Sequence, residues 1–182
     1  MTPFKSFSKK QLILLNWWTD SSPYKNRDAI ICDGSVRSGK TVCMFLSFIF
    51  WAFYMFSDSS FAVCGKTITS LRRNIITPML PMLRSLGFTY EELVSKNYDN
   101  HKKMTGEKSF YIFGGKDEGS AALIQGMTLS GVMLDETALM PRSFCEQAIA
   151  RCSVDNSRLW FNCNPENPAH WFSHGMDKKG SR

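Results

Sequence analysis

The stretch Gly34 to Thr41 reads GSVRSGKT and satisfies every fixed position of the pattern G-x-x-x-x-G-K-[ST]. Ahead of it Ala29 to Cys32 (AIIC) is an apolar run of strand length, and behind it the chain is uncharged and mostly apolar from Thr41 to Ser57. Strand, glycine-bearing turn and helix in that order form a site where backbone N–H groups converge on an anion. Gly34 and Gly39 allow the tight bend, so that Ser35, Val36, Arg37 and Ser38 can turn their amides inward. Lys40 then reaches the β and γ phosphates as a point charge, and the Thr41 hydroxyl is placed to ligate Mg²⁺. The dipole of the following helix favours the same anion. Arg37 either faces phosphate, as a candidate catalytic cation, or pairs with a surface carboxylate. ATP and Mg²⁺ are the expected ligands.

Downstream, GVMLDE (Gly131 to Glu136) sets two carboxylates at the end of another apolar run. Such a pair divides the labour of nucleotide hydrolysis. Asp135 would hold Mg²⁺ through its inner water shell, and Glu136 would act as the base that polarises the attacking water. A protein that only held nucleotide would have no use for the second acid.

Composition agrees with a folded chain of one domain. The 182 residues are 43% hydrophobic, with 14 Phe and 5 Trp, enough for a single core. The net charge of +6 suits a polyanionic partner. Cysteines at 32, 43, 64, 145, 152 and 163 form no CxxC or other metal-ligand spacing, and several sit inside apolar runs. Buried free thiols are expected from that placement. MTPFKSFSKK carries no secretory leader, and the apolar run from Thr41 is short of the ~20 residues a bilayer requires, so a core helix is expected and no membrane.

Short apolar runs alternate with helical patterns along the rest. Ala29 to Cys32, Phe61 to Cys64, Phe110 to Phe113, Val132 to Leu134 and Leu159 to Phe161 read as buried strands. Helices are expected over Lys9 to Trp18, Lys40 to Phe56, Leu71 to Leu86 and Ser143 to Arg151, the third kinked or split by Pro78 and Pro81. Asn97 to Lys108 (NYDNHKKMTGEK) reads as a hairpin tip or surface loop. Strands alternating with helices imply an α/β fold with a mainly parallel, helix-flanked sheet and ligands at the strands' carboxyl ends.

Four blocks in order resemble the N-terminal ATPase domain of the large terminase subunit of tailed bacteriophages: KQLILLNWW (Lys10 to Trp18), GSVRSGKT, the stretch from Phe113 to Pro141, and RLWFNCNPENPAHWF (Arg158 to Phe172). The resemblance implies a P-loop NTPase of the additional-strand, RecA-like type. It implies that Gln11 contacts adenine and that Asn162 and Asn164 sense the γ phosphate and couple hydrolysis to movement. Its implied setting is the host cytoplasm, transiently on the procapsid. There a homo-oligomeric ring, with portal protein and small terminase subunit, would drive double-stranded DNA inside. Two other readings stay open from the residues alone: another P-loop ATPase, helicase-like, or a non-catalytic module that keeps nucleotide to hold its shape.

Two departures from the family pattern matter. Some members carry an arginine shortly before the acidic pair that acts on a neighbour's nucleotide; here that stretch reads LIQGMTLSG, leaving Arg142, Arg151, Arg72 and Arg73 as candidates. Family members also continue into a nuclease domain, whose acidic two-metal cluster has no counterpart here, so no DNA cleavage is expected of this polypeptide.

Overall fold

The five expected apolar runs, each extended by one to three residues, become neighbouring parallel strands. The computed structural model describes residues 6–34, 38–93, 101–104 and 108–163. In chain order the strands are Ala29–Asp33 (β1), Ser60–Gly65 (β2), Tyr90–Leu93 (β3), His101–Met104 (β4), Lys108–Gly114 (β5), Gly131–Leu134 (β6) and Arg158–Cys163 (β7). They make one sheet in the order β1-β7-β6-β2-β5-β4-β3. The first five in that order are parallel, and β4 and β3 extend the far edge as an antiparallel pair. The segment expected as a hairpin tip or loop therefore contains β4, and its remaining residues before Lys108 lie outside the described ones.

Side chains alternate along each strand, and the alternation sorts them into two cores. Phe61 and Val63 of β2, Phe110 and Ile112 of β5, Met133 of β6 and Trp160 of β7 face one way. That face is covered by Lys9–Asn16 (α1), Lys40–Met55 (α2), Ile68–Leu71 (α3) and Thr77–Ser85 (α4). Ala62, Cys64, Phe113, Val132, Leu134 and Phe161 face the other way, against Arg142–Ala150 (α5) and the 3₁₀ turn Glu118–Ile124. The result is a three-layer α/β/α sandwich.

The uncharged run after the phosphate loop is α2, the most buried helix. Cys43 through Ile49, with Trp51 and Ala52, are all buried. Its one buried hydroxyl, Ser47, accepts from Trp18 Nε1 at 3.2 Å and from Trp160 Nε1 at 3.3 Å. Without it two indole N–H groups would lose a partner, at about 1–3 kcal/mol for each one left buried and unpaired. Gly131 is needed where α2 crosses β6, because a Cβ there would stand 2.6 Å from Trp51 Cζ3. Among the described residues no helix is long and apolar enough to cross a membrane.

Ser8 caps α1 with a full capping box, its Oγ accepting from Gln11 N while Gln11 Oε1 accepts from Ser8 N at 2.8 Å. The third expected helix runs from Ile68 to Ser85 but changes hydrogen-bond register inside. Pro78 has no N–H for the carbonyl of Asn74, and Arg72–Ile76 adopts a π turn in which Thr77 N–H donates to the Arg72 carbonyl.

Candidate functional site

Strand parity places the chemistry. In register, Ile30 pairs with Trp160 and Cys32 with Asn162, while Met133 pairs with Trp160. Asn162 and Asp135 each lie two residues beyond a member of the α2-side core, so both side chains emerge on that face at the carboxyl end of the sheet. The start of α2 lies over the same spot. Asn162 Nδ2 donates to Asp135 Oδ1 at 2.5 Å and lies 3.0 Å from Thr41 Oγ1. One carboxamide thus joins the helix after the phosphate loop to the acidic strand.

The carboxylate and the carboxamide are scarcely open to solvent, with Asp135 7% and Asn162 4% exposed. Burial pushes the Asp135 carboxyl above its ordinary range, and the Asn162 hydrogen bond opposes this; Glu136 raises it further, while Lys40 pulls it down. Asn162 Oδ1 is buried without a hydrogen-bond partner. Nearby oxygen donors are the Thr41 hydroxyl and the Asp135 carboxylate, with no sulfur between them. That suits Mg²⁺, which binds through one or two protein oxygens plus waters and phosphates. Among the described residues no set of three His, Cys, Asp or Glu side chains converges as an all-protein cage would require.

Glu136 follows directly and carries a backbone rarely used by a non-glycine residue, φ 51° and ψ 47°. The left-handed turn ends β6 and leads into the short 3₁₀ turn Thr137–Leu139, placing Glu136 on the wall of an open cleft. Strain of this kind costs of order 1–3 kcal/mol and gathers at functional sites. Ser38, Gly39, Lys40, Thr41, Asp135 and Asn162 line the same cleft.

Gly39 opens α2 at φ 75°, and a Cβ on it would lie 3.0 Å from Gln11 Nε2. Gln11 is held there at both ends of its amide, Oε1 by Ser8 N–H and Nε2 by the Ser38 carbonyl at 3.0 Å. In this structure it braces the loop from the α1 side. Lys40 Nζ donates to the Gly34 carbonyl. Of the other expected site residues, Ser35, Val36, Arg37 and Asn164 lie outside the described residues.

The candidate arginines are scattered. Arg72 pairs with Glu92, Arg142 pairs with Glu146 at 2.8 Å, and Arg151 Nε is buried beside α5. Arg73 neighbours the cleft residue Asn74, its Nε donating to Asn74 Oδ1 at 3.2 Å. Asn74 and Ile75 also line the cleft. No sequence motif marks either, and the single signal pointing to an irregularity there is Pro78.

A phosphate loop, an acidic pair one strand removed, and a strand, β7, inserted between their strands together define a P-loop nucleotide-binding fold of the additional-strand, RecA-like class. The chain belongs to the terminase large subunit family, matching over residues 31–181 the family described as terminase large subunit, T4likevirus-type, N-terminal. It is similar to the large terminase of a thermophilic bacteriophage, with 51% identity, TM-score 0.87, and coverage of 96% of this chain and 43% of that one. The same phage's protein in complex with ADP matches with 50% identity and TM-score 0.86, over 95% of this chain and 42% of that one. Its complex with ATP-γ-S matches with 48% identity and TM-score 0.84, over 96% and 42%. The chain therefore spans less than half the length of this relative. No curated protein matches it.

Proposed function

We propose that this chain is the ATP-hydrolysing motor domain of a phage terminase large subunit, driving double-stranded DNA into a procapsid. The observation that carries the reading is the Asn162 carboxamide, buried beneath the phosphate loop and in reach of Thr41 and Asp135 together. Those are the two groups that meet a magnesium-bound triphosphate. The thermophilic phage relative's complexes with ADP and ATP-γ-S support the same ligand class here.

Triphosphate seats on the amides of Gly34 to Thr41, and Lys40 exchanges the Gly34 carbonyl for phosphate oxygens. Thr41 and Asp135 would hold Mg²⁺, which neutralises charge on the β and γ oxygens when bound. Glu136 takes a proton from water, whose oxygen bonds to γ phosphorus as the bond to the β–γ bridging oxygen breaks and its electron pair leaves with ADP. Asn162 touches both metal-side groups and so registers the loss of the γ phosphate; Asn164 follows two residues on. Gln11 reaches adenine only by releasing Ser38, and Arg37 adds charge from within the loop.

DNA is gripped through its phosphates by Lys and Arg, since packaging accepts any sequence, and salt weakens that grip. The assembled form is a ring on the portal, with the small terminase subunit as partner, in the host cytoplasm and transiently on the procapsid. Glu136→Gln is the test. It keeps ATP-γ-S binding and loses hydrolysis by about 10²–10⁴-fold, measured as phosphate release. Unchanged hydrolysis in that variant removes the reading.

A further inference from the structure

We infer that Asn74 is a further substrate-contacting residue, its side-chain amide donating a hydrogen bond to the terminal phosphate of the bound triphosphate. The inference rests on the reading above, that the cleft takes a nucleoside triphosphate, and it adds a contact that no sequence motif marks. Asn74 is exposed, yet it is flanked by the core residues Ile75 and Ile76, 1% and 4% exposed. With Arg73 and Thr77 it belongs to the exposed polar face of that segment. The π turn Arg72–Ile76 is what lets it stand on the cleft wall while Ile75 reaches the core behind it. Irregular turns of this kind recur at functional sites.

The chemistry of the amide selects its ligand. Asn74 Oδ1 accepts from Arg73 Nε at 3.2 Å. With the carbonyl oxygen facing a cation, the NH₂ group is the end left toward a ligand, a donor of two N–H bonds suited to an anionic oxygen. Arg73, alongside, adds positive potential to the same wall.

Position selects the phosphate. The α3–α4 segment follows β2, which lies on the side of β6 away from β7. Asn74 therefore enters from the Glu136 side of the cleft, opposite Asn162, and shares that cleft with Lys40, Thr41 and Asp135. Those are the groups that bracket the γ end of the triphosphate.

The test compares two ligands that differ in that phosphate. Calorimetric titration of the full chain with ATP-γ-S and with ADP, both with Mg²⁺, is run on wild type, Asn74→Ala and Asn74→Asp. A hydrogen bond to a charged group predicts that Asn74→Ala weakens ATP-γ-S binding roughly tenfold or more and leaves ADP within about twofold. Asn74→Asp, which brings a carboxylate to the same place, weakens ATP-γ-S further still and again spares ADP. Parallel losses for both ligands, or no loss for either, overturn the inference while leaving the nucleotide site standing. A wild type that binds neither ligand overturns the functional reading and this inference with it. Melting temperatures of both variants within a degree or two of wild type are expected for so exposed a side chain, and Asn74→Ser serves if either variant fails to fold.

Discussion

Replacing Asn162 by alanine tests whether the polar junction under the phosphate loop is electrostatic in origin. In the native protein the carboxamide donates to Asp135 Oδ1 at 2.5 Å, and both side chains are more than nine-tenths buried. A hydrogen bond to a charged group contributes about 1.5–3 kcal/mol. For a chain of this size 1 kcal/mol corresponds to ~2–4 °C, so Asn162→Ala is expected to melt roughly 3–12 °C below wild type at pH 7.

The pH dependence separates this account from simple loss of packing. Asp135 titrates above its unfolded value of 3.8, with burial as the main cause and the Asn162 hydrogen bond opposing it. A carboxyl whose folded pKa is raised destabilises the fold as pH climbs from the unfolded pKa to the folded one, and the deficit is then constant. Removing Asn162 raises the folded pKa further and deepens that deficit. The difference in melting temperature between variant and wild type should thus be small near pH 3.5 and full by neutrality, and Asp135→Asn should erase most of it in a double-mutant cycle. Thermal melts at half-unit pH steps make the measurement. A deficit of equal size at every pH, or one untouched by Asp135→Asn, refutes the reasoning.

Other outcomes follow from single features. Glu136→Gly should relieve the left-handed backbone at φ 51° and raise the melting temperature by roughly 2–4 °C, about 1 kcal/mol, while phosphate release from ATP is lost. A variant that gains no stability would show that the turn carries no strain. Burial pushes the thiols of Cys32, Cys145 and Cys152 up to about 12 and that of Cys163 to about 11. Native protein at pH 8 should therefore react with a chromogenic disulfide reagent only as fast as it unfolds. Because the unfolded thiols ionise near 9.0 and the folded ones do not, stability should also decline as pH rises above that value. Rapid stoichiometric labelling of the folded chain would contradict both expectations.

The parallel half of the sheet could be read from the residues because its strands are buried on both faces, which forces continuous apolar runs such as AIIC and FAVC. The antiparallel extension could not. Tyr90–Leu93 and His101–Met104 mix charges into short strands near a sheet edge, where pairing is decided by the neighbour and not by local composition. The 3₁₀ turn at Glu118–Ile124, capped by Asp117 on Ser120 in the structure, has no helical period to mark it. Lys40, Thr41, Asp135 and Glu136 were visible because each sits at a fixed offset from a strand end, Asn162 only through the family resemblance, and the structure gathers all five. Asn74 has no such offset. It reaches the cleft through a change of helical register set by a proline four residues away, and only the folded chain brings it there.

The tryptophans behind the site have a practical use. Trp160 lies two residues before Asn162, with ring centroids 5.1 Å from Trp17 and 4.8 Å from Trp51, and all three are buried. Near-ultraviolet circular dichroism reads fixed aromatic packing. This indole trio is a spectroscopic gauge already installed on β7, the strand that carries Asn162, so displacement of that strand can be followed without a label.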